Sequence, residues 1–343
     1  MSFVERTMGC YGGPLPPGLL DHIAERLADL ATPERGEDWL RIVHGRAESE
    51  LRLMPSELRI SIRAADAVQL YHAREGALHL LDQVCPEVGA GIVWMGPEAD
   101  PHPPSLHPAT LLSRERIGAS FLRLTMACAG TAALATGGMH FSLLLPPDGR
   151  DPVWPRLNAR GRTVWPEGAD ALHRAAYTFV KLDPAAGHFA FDLFLHPGSR
   201  ACAWALSAPV GTSVAVMGPG GGDAPEADHL LLAGDETALP AIRRILEGAP
   251  PDRRGRVLIE IGDDADRCDL VRPAAMHLGW IRRHAGETLL GALRGIALDA
   301  HAPFVWVAAE QATVREARAH FENDARFSRA RSCFAAYWRR ETS

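Results

Sequence analysis

The chain has 343 residues, of which 47% are hydrophobic and 23% charged, and a formal net charge of −6. That length holds two or three domains, and the composition is ordinary for a globular protein with a sizeable core. The acidic balance argues against a general nucleic-acid binder, which needs a basic excess on the phosphate scale. No early segment has the charged start and apolar core of a signal peptide, and no apolar run approaches membrane-spanning length. A cytoplasmic protein without a membrane span is therefore expected. The six cysteines, Cys10, Cys85, Cys128, Cys202, Cys268 and Cys333, are scattered, with no C-x-x-C and no zinc-like spacing. Reduced thiols filling small core positions fit this pattern, and an iron–sulfur cluster bound in a compact cysteine motif does not.

In chain order, residues up to about Gly13 read as a flexible leader. Leu19, Leu20, Ile23, Leu27 and Leu30 mark an amphipathic helix. Strands are expected at Trp39–Val43, Glu50–Leu53 and Leu58–Ile62, the last alternating cleanly. Asp66 is an expected N-cap for a helix running to about Val84, and Ile92–Met95 an expected closing strand. His44, His72 and His79 fall on separate elements and form no ligand set. Five prolines between Gly96 and Ala109 exclude helix or central strand there, so this stretch reads as a semi-rigid linker.

Beyond the linker, strands are expected at Ala119–Thr125, His140–Leu145, Ala176–Leu182, Phe189–Leu195 and Val214–Met217, with residues 150–173 as a long loop. Short strands at this spacing suggest a small antiparallel barrel. From His229 the pattern changes. Leu230–Ala233 is a short apolar run, Gly234-Asp235-Glu236-Thr237 breaks it, and Ala238–Leu246 follows helical periodicity. Strands at Val257–Ile261, His277–Ile281 and Phe304–Ala308 alternate with helices at Thr288–Ile296 and Thr313–Phe321. That alternation predicts a parallel sheet, whose carboxyl edge is where nucleotides bind. The expected fold is an α+β N-terminal domain (1–95), a linker (96–109), an antiparallel β-barrel (110–222) and an α/β parallel-sheet domain (223–343).

Three stretches carry a resemblance. Gly234-Asp-Glu-Thr-Ala-Leu-Pro-Ala-Ile242, Phe304-Val-Trp-Val-Ala-Ala-Glu310 and Ala336-Tyr-Trp-Arg-Arg340 resemble, in order and spacing, segments of the siderophore-interacting proteins. These are flavin-dependent ferric-siderophore reductases, with a ferredoxin-reductase-like pair of a barrel FAD domain and a nicotinamide-binding domain. The resemblance covers roughly residues 110–340. The N-terminal part resembles a small α+β domain sometimes fused to that family.

The resemblance implies FAD and NADPH or NADH as cofactors and a ferric siderophore as substrate. It places Tyr177 and Thr178 at the end of the family's Arg-x-Tyr-Thr flavin strand, with Ala175 where the arginine stands and Arg174 one residue early. It places His196, Ala201, Cys202 and Trp204 at the second flavin element, with Cys202 replacing a serine. Asp235, Glu236 and Thr237 fall near the nucleotide cleft, Ala309 and Glu310 near the nicotinamide, and Trp338 over the flavin. Ser142 replaces a family lysine, so substrate attraction falls to Arg282, Arg283, Arg339 and Arg340. Electron transfer to Fe(III) needs no proton-transfer residue, and none is assigned. The expected function is a ferric-siderophore reductase. The alternative, on Ala175, Cys202 and Ser142, is a degenerate member that binds chelates or a partner without turnover.

Overall fold

In the computed structural model, residues 3–27, 33–95, 101–298 and 302–340 are described. By contacts between residues, the chain divides into two units. One comprises residues 1–107, 144–174 and 215–219, and the other comprises 108–143, 175–214 and 220–343.

The alternation in Leu58, Ile60 and Ile62 sends these side chains to one face, and all three are buried. They belong to β5 (Glu57–Ala64) of a six-stranded sheet with β1 (Glu5–Tyr11), β2 (Glu34–Arg35), β3 (Trp39–His44), β4 (Ala47–Met54) and β6 (Val93–Met95). The order is β2-β3-β4-β5-β1-β6. Two helices, α1 (Leu19–Leu27) and α2 (Ala67–Val84), followed by the short α3 (Pro86–Gly91), supply the other half of this core through Leu19, Ile23, Leu78 and Leu81. Asp66 caps α2, accepting from the Gln69 N–H at 2.8 Å.

The expected leader is corrected here. Residues 5–11 form a strand, β1, paired on one side with β5 and on the other with β6. Its residues alternate, but glycine and cysteine take the places of large apolar side chains. Gly9 sits where a Cβ would meet Ile92 and Trp94 at 2.9 Å, so the missing side chain is what admits the neighbours. Leu30 and Gly96–Asp100 lie outside the described residues. The rest of the expected linker is only partly irregular, because β7 (Leu106–Ile117) begins inside it. Pro108 is exposed on that strand.

The barrel closes in the order β12-β13-β8-β7-β14-β9. Its further strands are β8 (Phe121–Ala127), β9 (His140–Leu145), β12 (His173–Asp183), β13 (His188–Phe194) and β14 (Ser213–Gly220), with α4 (Thr131–Leu134) and α5 (Arg200–Ser207) between strands. Phe141, Phe179, Phe189 and Phe191 fill its interior, the closest pair, Phe141 and Phe179, stacking at 4.5 Å between centroids. The expected loop at 150–173 contains the small hairpin β10 (Arg156–Leu157) and β11 (Thr163–Val164). On β13 the polar side of the alternation is buried too. Asp192 is only 6% exposed and accepts from Arg123 at 2.7 and 2.8 Å and from Arg243 at 2.9 Å.

The C-terminal sheet is parallel throughout, in the order β17-β16-β15-β18-β19. Its strands are β15 (His229–Gly234), β16 (Arg254–Ile261), β17 (Met276–Arg282), β18 (Phe304–Glu310) and β19 (Ser332–Trp338). Its helices are α6 (Leu239–Glu247), α7 (Leu289–Arg294) and α8 (Gln311–Glu322). Leu230, Leu232, Ile242 and Ile245 pack one face, and Leu231, Leu289, Leu293 and Phe321 the other. Because β15 is central and fully buried, its run carries no alternation.

Candidate functional site

Sequence order places β16 and β17 on one side of β15 and β18 and β19 on the other. The winding therefore reverses between β15 and β18, and at such a switch point open sheets are expected to form a crevice outside the strands' carboxyl ends. Gly234 ends β15 and Glu310 ends β18 at that crevice. A Cβ on Gly234 would meet Ala238 Cβ at 2.4 Å and Ala308 O at 2.8 Å, so only glycine lets the turn pass this close to β18.

Asp235 joins the three resembling segments. Its Oδ1 accepts from the Thr237 N–H at 3.0 Å and the Thr237 hydroxyl at 2.5 Å. Its Oδ2 accepts from the Glu310 N–H at 3.1 Å and the Trp338 indole N–H at 2.7 Å. The side chain is 4% exposed, and burial pushes its carboxyl above the ordinary range despite these donors. Ala309 is buried in β18 at 1% exposure. Glu310 caps α8, its Oε2 accepting from the N–H groups of Ala312 and Thr313 at 2.7 and 3.2 Å. Burial raises the Glu310 carboxyl, but the backbone donors outweigh it and hold the group below the usual range.

Glu236, also 4% exposed, accepts two parallel hydrogen bonds from Arg283 at 2.9 and 2.8 Å and one from the Gly262 N–H at 2.7 Å. The Nε of Arg283 reaches Glu260 at 2.7 Å. Arg282 is paired with Glu287 at 3.2 Å. Both of these arginines are therefore paired with carboxylates. Arg339 makes no ion pair among the described residues, and Arg340 lies with its guanidinium 5.9 Å from the Trp338 ring centre. Trp338 itself is 37% exposed.

On β12, Ala175 and Tyr177 share one face and Arg174 and Ala176 the other. The guanidinium of Arg174 stacks 4.3 Å from the Trp165 ring centre. The β12–β13 register does shift, but between Phe179 and Lys181, too far along to re-aim Arg174. The arginine position beside Tyr177 therefore carries no cation. Tyr177 packs against Phe191 at 5.0 Å, and its hydroxyl has no hydrogen-bond partner among the described residues. Burial, then the nearby Cys202 thiol, raises its pKa.

Ser199 caps α5, accepting from the Cys202 N–H at 3.2 Å. Ala201 and Cys202 are buried in the first turn, and Trp204 is half-buried one turn on. The Cys202 thiol donates to Phe194 O and accepts from the His196 N–H, both at 3.5 Å. It ties the strand end to the helix. His196 itself is exposed.

Sequence reasoning passed over His140. Its Nδ1 lies 2.9 Å from the Thr178 hydroxyl and its Nε2 3.2 Å from the Tyr337 hydroxyl, and its ring meets that of Tyr337 edge-on at 5.6 Å. Burial and the charge of Arg244 push it down to about 4, so it is neutral at pH 7. Tyr337 reaches it because β19 carries one residue more than β18 here: Ala336 pairs with Ala309 and Trp338 with Glu310. The only signal in the sequence is a histidine opening a mostly apolar strand.

A closed antiparallel barrel followed by a five-stranded parallel sheet, with its crevice beside the barrel strand that bears Tyr177 and Thr178, is a ferredoxin-reductase-like pair of domains. Comparison with known proteins narrows this. Residues 110–223 match the siderophore-interacting FAD-binding domain and residues 227–341 match the siderophore-interacting protein family. The chain belongs to the siderophore-interacting protein family. An uncharacterised protein of Mycobacterium tuberculosis is 35% identical over 187 residues, 48% of this chain and 64% of that protein. The match thus spans less than two thirds of that relative's length. The ferric vibriobactin reductase ViuB of Vibrio cholerae is 28% identical over 211 residues, 59% of this chain and 77% of that enzyme. The crystal structure of a siderophore utilization protein from T. fusca superposes with a TM-score of 0.62 at 27% identity, covering 72% of this chain and 97% of that one.

Proposed function

We propose that the protein is a ferric-siderophore reductase that uses FAD and a reduced nicotinamide dinucleotide, NADPH or NADH. The observation that supports this best is the meeting of Gly234–Thr237, Ala309–Glu310 and Tyr337–Trp338 at one switch-point crevice, with Tyr337 linked through His140 to Thr178 on β12. Nicotinamide-side and flavin-side residues of the reading are thereby adjacent.

The residues fit FAD in part. Tyr177 offers a ring face and a hydroxyl without a partner among the described residues, and Thr178 a buried hydroxyl on the opposite face of β12. The first turn of α5 carries small residues, so a phosphate could approach its remaining N–H groups. What is missing is the cation at Ala175. A bound flavin would supply hydride acceptance from the nicotinamide and single-electron delivery to Fe(III), which would loosen hard oxygen ligands. The protein's part is to hold the partners in order. Asp235 fixes the turn, Glu310 fixes the start of α8, and Trp338 covers the crevice while anchored by its indole N–H. Of the four arginines expected at the substrate, Arg339 and Arg340 remain the candidates for an anionic ferric chelate.

The test is the visible spectrum of purified protein after addition of FAD and desalting, followed by anaerobic NADH or NADPH. Retained flavin that bleaches, then reoxidises with ferric chelate while Fe(II) accumulates on a trapping dye, is the expected result. A colourless protein that retains no FAD refutes the reading.

A further inference from the structure

The helix that follows β17 is too short to cover the strands beneath it. α7 has six residues, about 9 Å of helix, whereas β16 has eight, about 26 Å of strand. Leu289 and Leu293 of α7 share one core with Leu231 and Ile281, and the strands' amino ends are left uncovered. A cleft of about 570 Å³ lies there. Leu231, Arg254, Arg256 and His277 line it from the strands, and Ile296 and Leu298 from the segment after α7. His229, at the start of β15, borders the cleft, whereas Gly234, at the end of the same strand, stands at the switch point. The two places are at opposite edges of the sheet.

In a parallel sheet, residues in register face the same way. Arg256 pairs with Leu231 on one side and His277 on the other, and Leu231 is buried on the α7 side. Arg256 and His277 therefore project to that side, and Arg254, two residues back and about 7 Å along the strand, lines the same cleft. Neither arginine makes an ion pair or a side-chain hydrogen bond among the described residues, and His277 makes none either. Elsewhere in this domain Arg282, Arg283 and Arg294 each hold a carboxylate. Like charges side by side on a sheet repel. Both arginines are exposed, so burial does not offset that repulsion, and an anion between them would. Two guanidinium forks match the oxygens of a phosphate or a carboxylate.

We infer that this cleft is a second ligand site, for a small organic oxyanion, a phosphate ester or a carboxylate. Arg254 and Arg256 take the charged group, with His277 beside them, and Leu231, Ile296 and Leu298 receive the carbon skeleton. The site stands apart from the reductase reading, because none of its residues belongs to the switch-point crevice.

The probes are phenyl phosphate, phthalate and inorganic phosphate, titrated calorimetrically into the full chain. Phenyl phosphate or phthalate should bind about fivefold or more tighter than inorganic phosphate, which has no apolar skeleton to bury, and the tighter of the two names the oxyanion. Replacing both arginines, Arg254→Ala with Arg256→Ala, should weaken binding about tenfold or more. Arg256→Lys, which keeps the charge but loses the fork, should fall between. Ile296→Ser should remove part of the preference for the aromatic probes, and Arg315→Ala, an exposed arginine on α8, should change nothing. Equal affinity for the three probes, or a double variant that binds as the wild type does, overturns the site. Saturating NADP+ should leave phenyl phosphate affinity unchanged; competition would assign the anion to the nucleotide crevice and overturn the inference. A protein that binds no FAD refutes the reductase reading and leaves these titrations as they are. Circular dichroism of each variant confirms that it is folded.

Discussion

Arg283→Ala separates an architectural arginine from a substrate-binding one. The carboxylate it serves, Glu236, has a side chain 5% exposed, whereas Arg283 is 44% exposed. Removing one partner of a fully buried pair costs about 3–5 kcal/mol, because the other charge is left desolvated. Here water already reaches the guanidinium, and the Gly262 N–H still donates to Glu236, so we expect a smaller loss of about 2–3 kcal/mol. Glu260 loses a partner as well, but keeps the Leu289 N–H. Urea unfolding followed by circular dichroism measures the loss, with chelate affinity measured in parallel. Adding Glu236→Gln should restore part of the stability, since the amide keeps an acceptor for Gly262 without a charge to bury. An Arg283→Ala protein that unfolds at the wild-type urea concentration but binds ferric chelate far more weakly would refute this reasoning and return Arg283 to the substrate.

Ala175→Arg restores a cation on the Tyr177 face of β12 and should tighten FAD roughly ten- to hundredfold, the range of a charge-assisted hydrogen bond; unchanged affinity in a flavin titration counts against the groove lying there. Between pH 6.5 and about 4, folded His140 binds fewer protons than unfolded His140, so stability is full above pH 6.5 and falls as the solution is acidified. Its shift corresponds to about 3 kcal/mol, and His140→Gln should flatten that part of a stability-versus-pH curve. Gly255→Ala should cost more than about 3 kcal/mol, since φ is +141° and a Cβ would lie 1.8 Å from Leu230 O; a melting temperature like that of wild type would contradict it.

The C-terminal half was the most legible part of the chain, because buried parallel strands and amphipathic helices both write plain signals. Leu230–Ala233 and Val257–Ile261 are strands as expected, and Asp66 is the cap its position suggested. β1 was not legible, because Gly9 and Cys10 stand in a strand made possible by small size and not by hydrophobicity. Nor was the start of β7, where proline composition pointed to linker although one face of the strand, through Ala109 and Leu111, was already buried. At the site, resemblance gave Asp235, Glu310 and Trp338 but not what joins them. That connection is a set of hydrogen bonds between residues 75 and 103 positions apart, which no local pattern encodes. The same holds for Arg283: spacing shows a charge, but only the fold shows that Glu236 neutralises it.

The hairpin inside residues 144–174 shows the same logic. Its sequence has no hydrophobic period, because its partners lie on helices some seventy to ninety residues earlier in the chain. Tyr71 and Thr163 share a hydrogen bond of 2.7 Å, Arg74 donates to Gly161 O at 2.7 Å, and Arg162 grips Asp82 with two bonds of 2.7 and 3.0 Å. Arg160 donates to Ala90 O on α3. Gly161, at φ +69°, takes a conformation that L side chains resist, and a Cβ on it would strike the Arg74 guanidinium at 2.4 Å. Such polar contacts are individually modest, and they bring little apolar burial with them. They do fix direction. The stretch that carries the hairpin and the Arg174–Trp165 stack is thus held to residues 71–90 through hydrogen bonds and one bidentate ion pair.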